Sequence, residues 1–183
     1  MLLIGILFAF LLNTFVIKMY KIPSASMEST MQEGDYIMAS PLFNPPSEID
    51  RGEIVVFNIP ETWNPTYPNE LYVKRVIGVG GDHVVAKGDG SSITINGVPI
   101  DETYIKPGVT PSDVAFDYVV PAGEIFVLGD NRPNSQDSRY HKDDPFIAVG
   151  AVVNTPNIQL WPLNRAKVYP DASSVFANVP DAG

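Results

Sequence analysis

LYVKRVIGVGGDHVVAKGDGSSITINGVPI, residues 71–100, is a series of apolar runs cut by turn residues. Leu71–Val79 and His83–Ala86 are rich in β-branched side chains and read as strands. Asn96-Gly97 divides Ile93–Asn96 from Val98–Ile100. It is the strongest hairpin signal in the chain, because a two-residue type I′ turn needs positive φ at both positions. Gly78, Gly80 and Gly81 form a cluster that could cradle a phosphate only if a helix N-terminus followed. HVVA follows instead, so these are turn glycines.

The same pattern extends in both directions. Tyr36–Ala39 and Glu53–Phe57 before this stretch, and Asp117–Val120 and Glu124–Leu128 after it, are further short strands between turn signals. The 17 prolines and 14 glycines are spread through the intervening loops. No long segment after the N-terminus repeats every 3.6 residues, and no internal repeat is present. The expectation is a mostly β body with many corners, built from antiparallel strands. The tail from Tyr169 is small, polar and proline-containing, and is expected to be loosely ordered (169–183).

The N-terminus differs. Leu2–Ile17 reads LLIGILFAFLLNTFVI, with Asn13 and Thr14 as its clearly polar residues. As a helix, sixteen residues rise about 24 Å, slightly short of a ~30 Å hydrocarbon core. Met19 and Tyr20 lengthen the stretch, and Lys18 and Lys21 can reach the headgroups. The expected organisation is a transmembrane anchor over 1–20 and a β-rich domain over 21–183. A cleaved signal peptide, with Ser24-Ala25-Ser26 as its small-x-small site, and a buried helix are the alternatives. Lys18 and Lys21 follow the span, which by the positive-inside bias puts the body in the cytoplasm.

Composition narrows the chemistry. Among 183 residues, 12 Lys and Arg against 21 Asp and Glu give a net charge of −9, which argues against a nucleic-acid partner. With no cysteine, disulfides, thiolate nucleophiles and cysteine-ligated metals are excluded. His83 and His141 lie outside any metal-binding spacing and read as surface or loop residues, so no metal and no cofactor are expected.

Three segments hold candidate chemistry. In Ile22–Met31, IPSASMESTM, an extended Pro23–Ser26 would project Ser24 and Ser26 to one side, about 7 Å apart. Alone, this reads as a serine-rich linker. In Leu71–Val79, Lys74 sits inside an apolar strand with Tyr72 and Val76 on its face. Burial would favour its neutral amine, and a lysine at a sheet edge reaching solvent is the ordinary alternative. In Leu128–Tyr140, LGDNRPNSQDSRY, the pairs Asp130/Arg132 and Asp137/Arg139 repeat opposite charges two apart. A polar loop has that composition, and so does a catalytic network on a β scaffold. A serine nucleophile needs a base. The histidines are poorly supported for this, and Lys74 is the lysine whose surroundings suit a Ser-Lys pair.

Together with Arg51–Phe57 (RGEIVVF), these segments resemble the type I signal peptidase family, matching PSASM, RGEIVVF, YVKRVIGVGGD and GDNRPNSQDSR in order. The resemblance implies an antiparallel β-sheet or β-barrel catalytic domain behind one transmembrane helix. Ser26 would be the nucleophile and Lys74 the general base. Ser24 and the Ser26 N–H would form the oxyanion hole. Ser135 would orient Lys74, Asp137 and Arg139 would hold the loop, and Asp130 would pair with Arg75. Ile22, Met27, Val56, Tyr72 and Val73 would line shallow pockets for small side chains.

Implied partners are signal peptides of secretory pre-proteins, cut after Ala-x-Ala-type sequences, and the lipid bilayer. The implied location is the bacterial cytoplasmic membrane, with the catalytic domain on its extracytoplasmic side. The chain departs from the family pattern at Ser29, where proline is usual, and at Pro133, where aspartate is common. The short stretch between Asp82 and Gly129 resembles compact members without a large cap insertion. A narrow-specificity maturation peptidase and an inactive membrane-tethered β scaffold are the rival readings.

Overall fold

The computed structural model describes residues 18–39, 49–68, 70–170 and 172–181. The apolar run over 2–17 lies outside the described residues. Among those described, no helix is long and apolar enough to cross a membrane.

Among the described residues, thirteen strands run in chain order: β1 (Lys18–Lys21), β2 (Tyr36–Ala39), β3 (Ile54–Asn58), β4 (Leu71–Val79), β5 (His83–Lys87), β6 (Thr94–Ile95), β7 (Val98–Pro99), β8 (Ala115–Val119), β9 (Glu124–Leu128), β10 (Ile147–Ala148), β11 (Val152–Asn154), β12 (Ile158–Trp161) and β13 (Lys167–Val168). One short helix, α1 (Ser173–Phe176), follows. The strands form three sheets, ordered β1-β2-β12-β13, β10-β9-β4-β3-β11 and β7-β6-β5-β8. Their pairings are antiparallel.

The middle sheet is covered on both faces, which is why β3 and β4 read as near-continuous apolar runs. Side chains alternate across it. Val55, Phe57 and Val76 enter one cluster with Trp63 and Val127. Ile54 and Val56 pack with Ile22, Met27, Met31 and Ile37. Ile77 joins Val84, Ile95, Phe116 and Phe126 against the third sheet. Asn96 and Gly97 adopt φ of 51° and 80°, the geometry read from their sequence.

Two expectations are corrected. Lys18, Met19 and Tyr20, expected to end the anchor, form the edge strand β1, pairing with Ala39, Met38 and Ile37. Pairing satisfies their backbone groups within the sheet. The C-terminal segment is packed, not loose: Tyr169, Ala172, Phe176 and Val179 are buried. Few apolar residues suffice because the receiving surface is shaped for them. A Cβ on Gly52 would lie 3.0 Å from the Phe176 ring. Pro180 O accepts from both Arg51 and Asn96, each at 3.0 Å, closing the segment down.

β4 changes partner along its length. Leu71–Arg75 pair with β3, whereas pairing with β9 begins at Arg75. Glu70 O accepts from Ile59, and the N–H and C=O of Val76 bond Glu53 and Gly52, so even-numbered residues point toward the β3 side. By alternation, the main-chain groups of Leu71 and Val73 face the opposite, open edge.

Candidate active site

The open edge of β4 borders a groove of about 490 Å³, whose lining includes Ser24, Ser26, Tyr72 and Lys74. Ser24 is extended (φ −142°, ψ 162°), and Ala25–Met27 then curls into a 3-10 turn. The curl brings Ser24 Oγ to 3.3 Å from Ser26 Oγ, much closer than a continuous strand would. Met27 is buried and anchors this turn in the core.

Lys74 approaches from β4. Its Nζ lies 2.8 Å from Ser26 Oγ and 3.1 Å from Val73 O, and 5.0 Å from the centre of the Tyr72 ring. The residue is 3% exposed. Burial lowers the amine's pKa from 10.5 to about 8, against the opposing pull of Asp137 and Asp130. At that value about a tenth of the amine is neutral at pH 7, against roughly one part in several thousand for a free lysine. The arrangement can therefore take a proton from a hydroxyl and return it.

The loop after β9 supports this pair from behind. Asp137 accepts from Arg139 Nε and from Gly129 N–H at 2.9 and 3.1 Å, and caps the 3-10 turn Ser138–Tyr140. Asp130 accepts from Arg75 Nε and Nη2 at 2.9 and 2.7 Å and also receives the Thr30 hydroxyl. These carboxylates are thus engaged by guanidinium groups, leaving Lys74 without a carboxylate partner among the described residues. Arg132 does not pair with its neighbour Asp130; it binds Glu102 Oε2 at 2.8 Å and Pro111 O at 2.6 Å. Neither spacing nor composition marked Glu102. Asn131 was also missed: it donates to the carbonyls of both Ala25 and Ser26.

Two sequence expectations change. Ser135 makes no hydrogen bond to Lys74; its hydroxyl is buried without a partner. It packs so tightly on Gly129 that a Cβ there would fall 2.2 Å from Ser135 Oγ. Val56 does not line the groove: it is fully buried behind it, paired with Val73 on β3. Ile22, Met27, Tyr72 and Val73 do line it. Ser29 adopts φ of 107°, which a proline ring forbids, so the departure from the family pattern carries a different local backbone. Its hydroxyl donates to Tyr104 O at 2.8 Å. Pro133 fits at the start of the 3-10 turn Arg132–Asn134, where its missing N–H is not needed.

The sequence profile of the family "Signal peptidase, peptidase S26" matches residues 1–161. The Signal peptidase I of Leptolyngbya laminosa is 34% identical over 168 residues, covering 88% of this chain and 77% of the relative. The Signal peptidase I of Bacillus caldolyticus is 32% identical over 166 residues, covering 84% and 85%. A crystal structure of a signal peptidase I from Enterococcus faecalis superimposes with a TM-score of 0.47 at 29% identity, covering 59% of this chain and 96% of that one.

Proposed function

Because this chain belongs to the signal peptidase family, peptidase S26, and is a serine peptidase, we propose that it removes signal peptides from secretory pre-proteins with Ser26 as nucleophile and Lys74 as general base. The observation that carries this reading is the 2.8 Å separation of the buried Lys74 Nζ from the half-buried Ser26 Oγ at the groove.

Neutral Lys74 accepts the Ser26 proton as Oγ attacks the scissile carbonyl. The Ser26 N–H and the Ser24 hydroxyl stabilise the oxyanion of the tetrahedral intermediate. On collapse, the Lys74 ammonium protonates the departing amine, leaving an ester on Ser26. Lys74 then deprotonates a water, which hydrolyses the ester.

The substrate lies extended along the open edge of β4, exchanging main-chain hydrogen bonds with Leu71 and Val73. Ile22, Met27, Tyr72 and Val73 crowd its side-chain pockets, which favours small residues in an Ala-x-Ala pattern. The apolar run over 2–17 tethers the domain to the bacterial cytoplasmic membrane, with the groove on the extracytoplasmic side. Tethering raises the effective concentration of signal peptides, which reside in the same bilayer.

Cleavage of a panel of precursors in detergent tests this. Wild type should cut several after small residues, and Ser26→Ala and Lys74→Ala should cut none. Cleavage of a single precursor would point to a narrow maturation peptidase. Undiminished cleavage by either variant would refute the assigned pair.

A further inference from the structure

The turn that presents Ser26 is short. It is three residues of 3-10 helix, and Ser24 at its start makes no side-chain capping bond. Within the turn Ala25 O accepts from Glu28 N–H at 3.0 Å, so its second lone pair and the Ser26 carbonyl are left for partners from elsewhere. One residue serves two successive carbonyls. Asn131 N–H donates to Ser26 O at 3.0 Å, and Asn131 Nδ2 donates to Ala25 O at 2.9 Å. Nδ2 is also 3.4 Å from Glu28 Oε2. Asn131 is in turn well fixed. It follows Asp130, which is held by Arg75, and its carbonyl accepts from Asn134 at 2.9 Å.

Ala25 C=O and Ser26 N–H are opposite ends of a single planar peptide unit. Whatever fixes the oxygen therefore fixes the direction of the hydrogen. A hydrogen bond donated to that carbonyl also polarises the peptide, making its N–H a stronger donor. We propose that Asn131 is a positioning residue for the oxyanion hole, aiming and strengthening the Ser26 N–H through Ala25 O. This inference rests on the reading of Ser26 as nucleophile. It assigns a function to a side chain that touches neither Lys74 nor the Ser26 hydroxyl.

The test uses Asn131→Asp and Asn131→Ala in the full-length protein. Asp keeps the side-chain shape and the main-chain bond to Ser26 O, but sets a carboxylate oxygen against Ala25 O. Direct deletion of an oxyanion donor costs about 10²–10³ in kcat. Misaiming one of two donors should cost about ten- to a hundredfold, with KM changed less than about twofold. The pH profile set by Lys74 should be unchanged. A peptide aldehyde, whose hemiacetal oxygen occupies the oxyanion position, should lose affinity in step with kcat/KM. An uncleavable peptide should bind as it does to wild type.

Active-site titration corrects each rate for the folded fraction. Wild-type kcat in both variants, or equal loss of aldehyde and uncleavable-peptide binding, would overturn the proposal. Ser26→Ala separates the two levels. If it cleaves like wild type, the nucleophile reading fails. If it is dead while the Asn131 variants are unimpaired, only this inference fails.

Discussion

Lys74 Nζ lies 2.8 Å from Ser26 Oγ, although 48 residues separate them in the chain. Among the described residues the amine has no carboxylate partner. Asp130 and Asp137 both raise its pKa through space, but their oxygens are bound by Arg75 and Arg139. The arginines thereby let burial win, and the amine falls to about 8. A lysine paired directly with either carboxylate would stay charged and useless as a base.

Activity should accordingly rise with pH through an inflection near 8, as the Lys74 ammonium loses its proton. Lys74→Arg keeps a cation that cannot deprotonate at these pH values, so it should lose about 10²–10⁴-fold in kcat/KM. Rates measured from pH 5 to 10 on one precursor check both statements. A profile flat across pH 7–9 would contradict them.

The same shift sets a stability cost. Below pH 8, folded and unfolded chains both carry the proton, and the fold bears the whole penalty of a buried ammonium. A fall from 10.5 to about 8 corresponds to about 3 kcal/mol. Between those values the unfolded chain holds the proton and the folded chain does not, so stability rises with pH. Above 10.5 the penalty is gone. Lys74→Met should be inactive, yet more stable than wild type at pH 6.5 by up to about 3 kcal/mol. The advantage should shrink toward zero by pH 10.5. Urea unfolding of both proteins at the two pH values decides it, and a pH-independent difference would rule out this origin.

Much of this was legible in the sequence, for physical reasons that vary with position. Leu71–Val79 and Glu124–Leu128 are long, β-branched and bounded by turn residues, and they form strands over those residues. β10 and β13 are two residues each, too short for any periodicity to register. Phe176 and Val179 stand in a short tail rich in small and polar residues. The burial of Phe176 depends on the bare surface of Gly52, which no local pattern encodes. The site divides similarly. Ser26 and Lys74 stood out through the resemblance and through a lysine in an apolar strand. Asn131 acts mainly through backbone carbonyls, so its role has no residue-type signature. Glu102 meets Arg132 only once the fold is closed.

The C-terminal segment should contribute measurably to stability. Phe176 is buried against the cluster containing Ile77, Val84 and Phe126. Phe176→Ala should cost about 3 kcal/mol, in the range for emptying a phenylalanine site. The groove is lined by other elements, so kcat/KM per folded molecule should stay within about twofold. Thermal unfolding with parallel cleavage assays checks this. A loss below about 0.5 kcal/mol would mean that the segment is not docked in solution.

Arg132 and Glu102 are each about 1% exposed at the side chain, so neither charge can turn to water when its partner is removed. Glu102→Gln should destabilise by about 3–5 kcal/mol, because the guanidinium stays buried without its counter-charge. Arg132→Met with Glu102→Gln should recover part of that loss. Chemical denaturation of Glu102→Gln, Arg132→Met and the double variant tests it. A double variant as unstable as the sum of its singles would show that the two residues do not act as a pair.

Gly129 carries the sharpest steric constraint near the site. A Cβ built there would fall 2.2 Å from Ser135 Oγ and 2.5 Å from Ser26 O. The Ser135 hydroxyl can rotate away, since it has no hydrogen bond to lose, but the Ser135 Cβ, 2.6 Å from the added carbon, does not move with it. The Ser26 carbonyl cannot, because it belongs to the backbone and is tied to Asn131 N–H at 3.0 Å. Gly129→Ala must therefore push the Ser26 turn toward the groove or the loop away from it. Either movement disturbs the 2.8 Å approach of Lys74 to Ser26 Oγ. A displacement near 1 Å at a reacting group can cost about 10²-fold, so kcat should fall by about that factor. Overpacking should also cost about 1–3 kcal/mol of stability. Gly150→Ala is the matched control: nothing lies within 4 Å of its Cβ, and its φ is not positive, so activity should be retained. Cleavage by Gly129→Ala within twofold of wild type would show that the turn and loop can separate without cost, and that their close contact does not hold Ser26 in place.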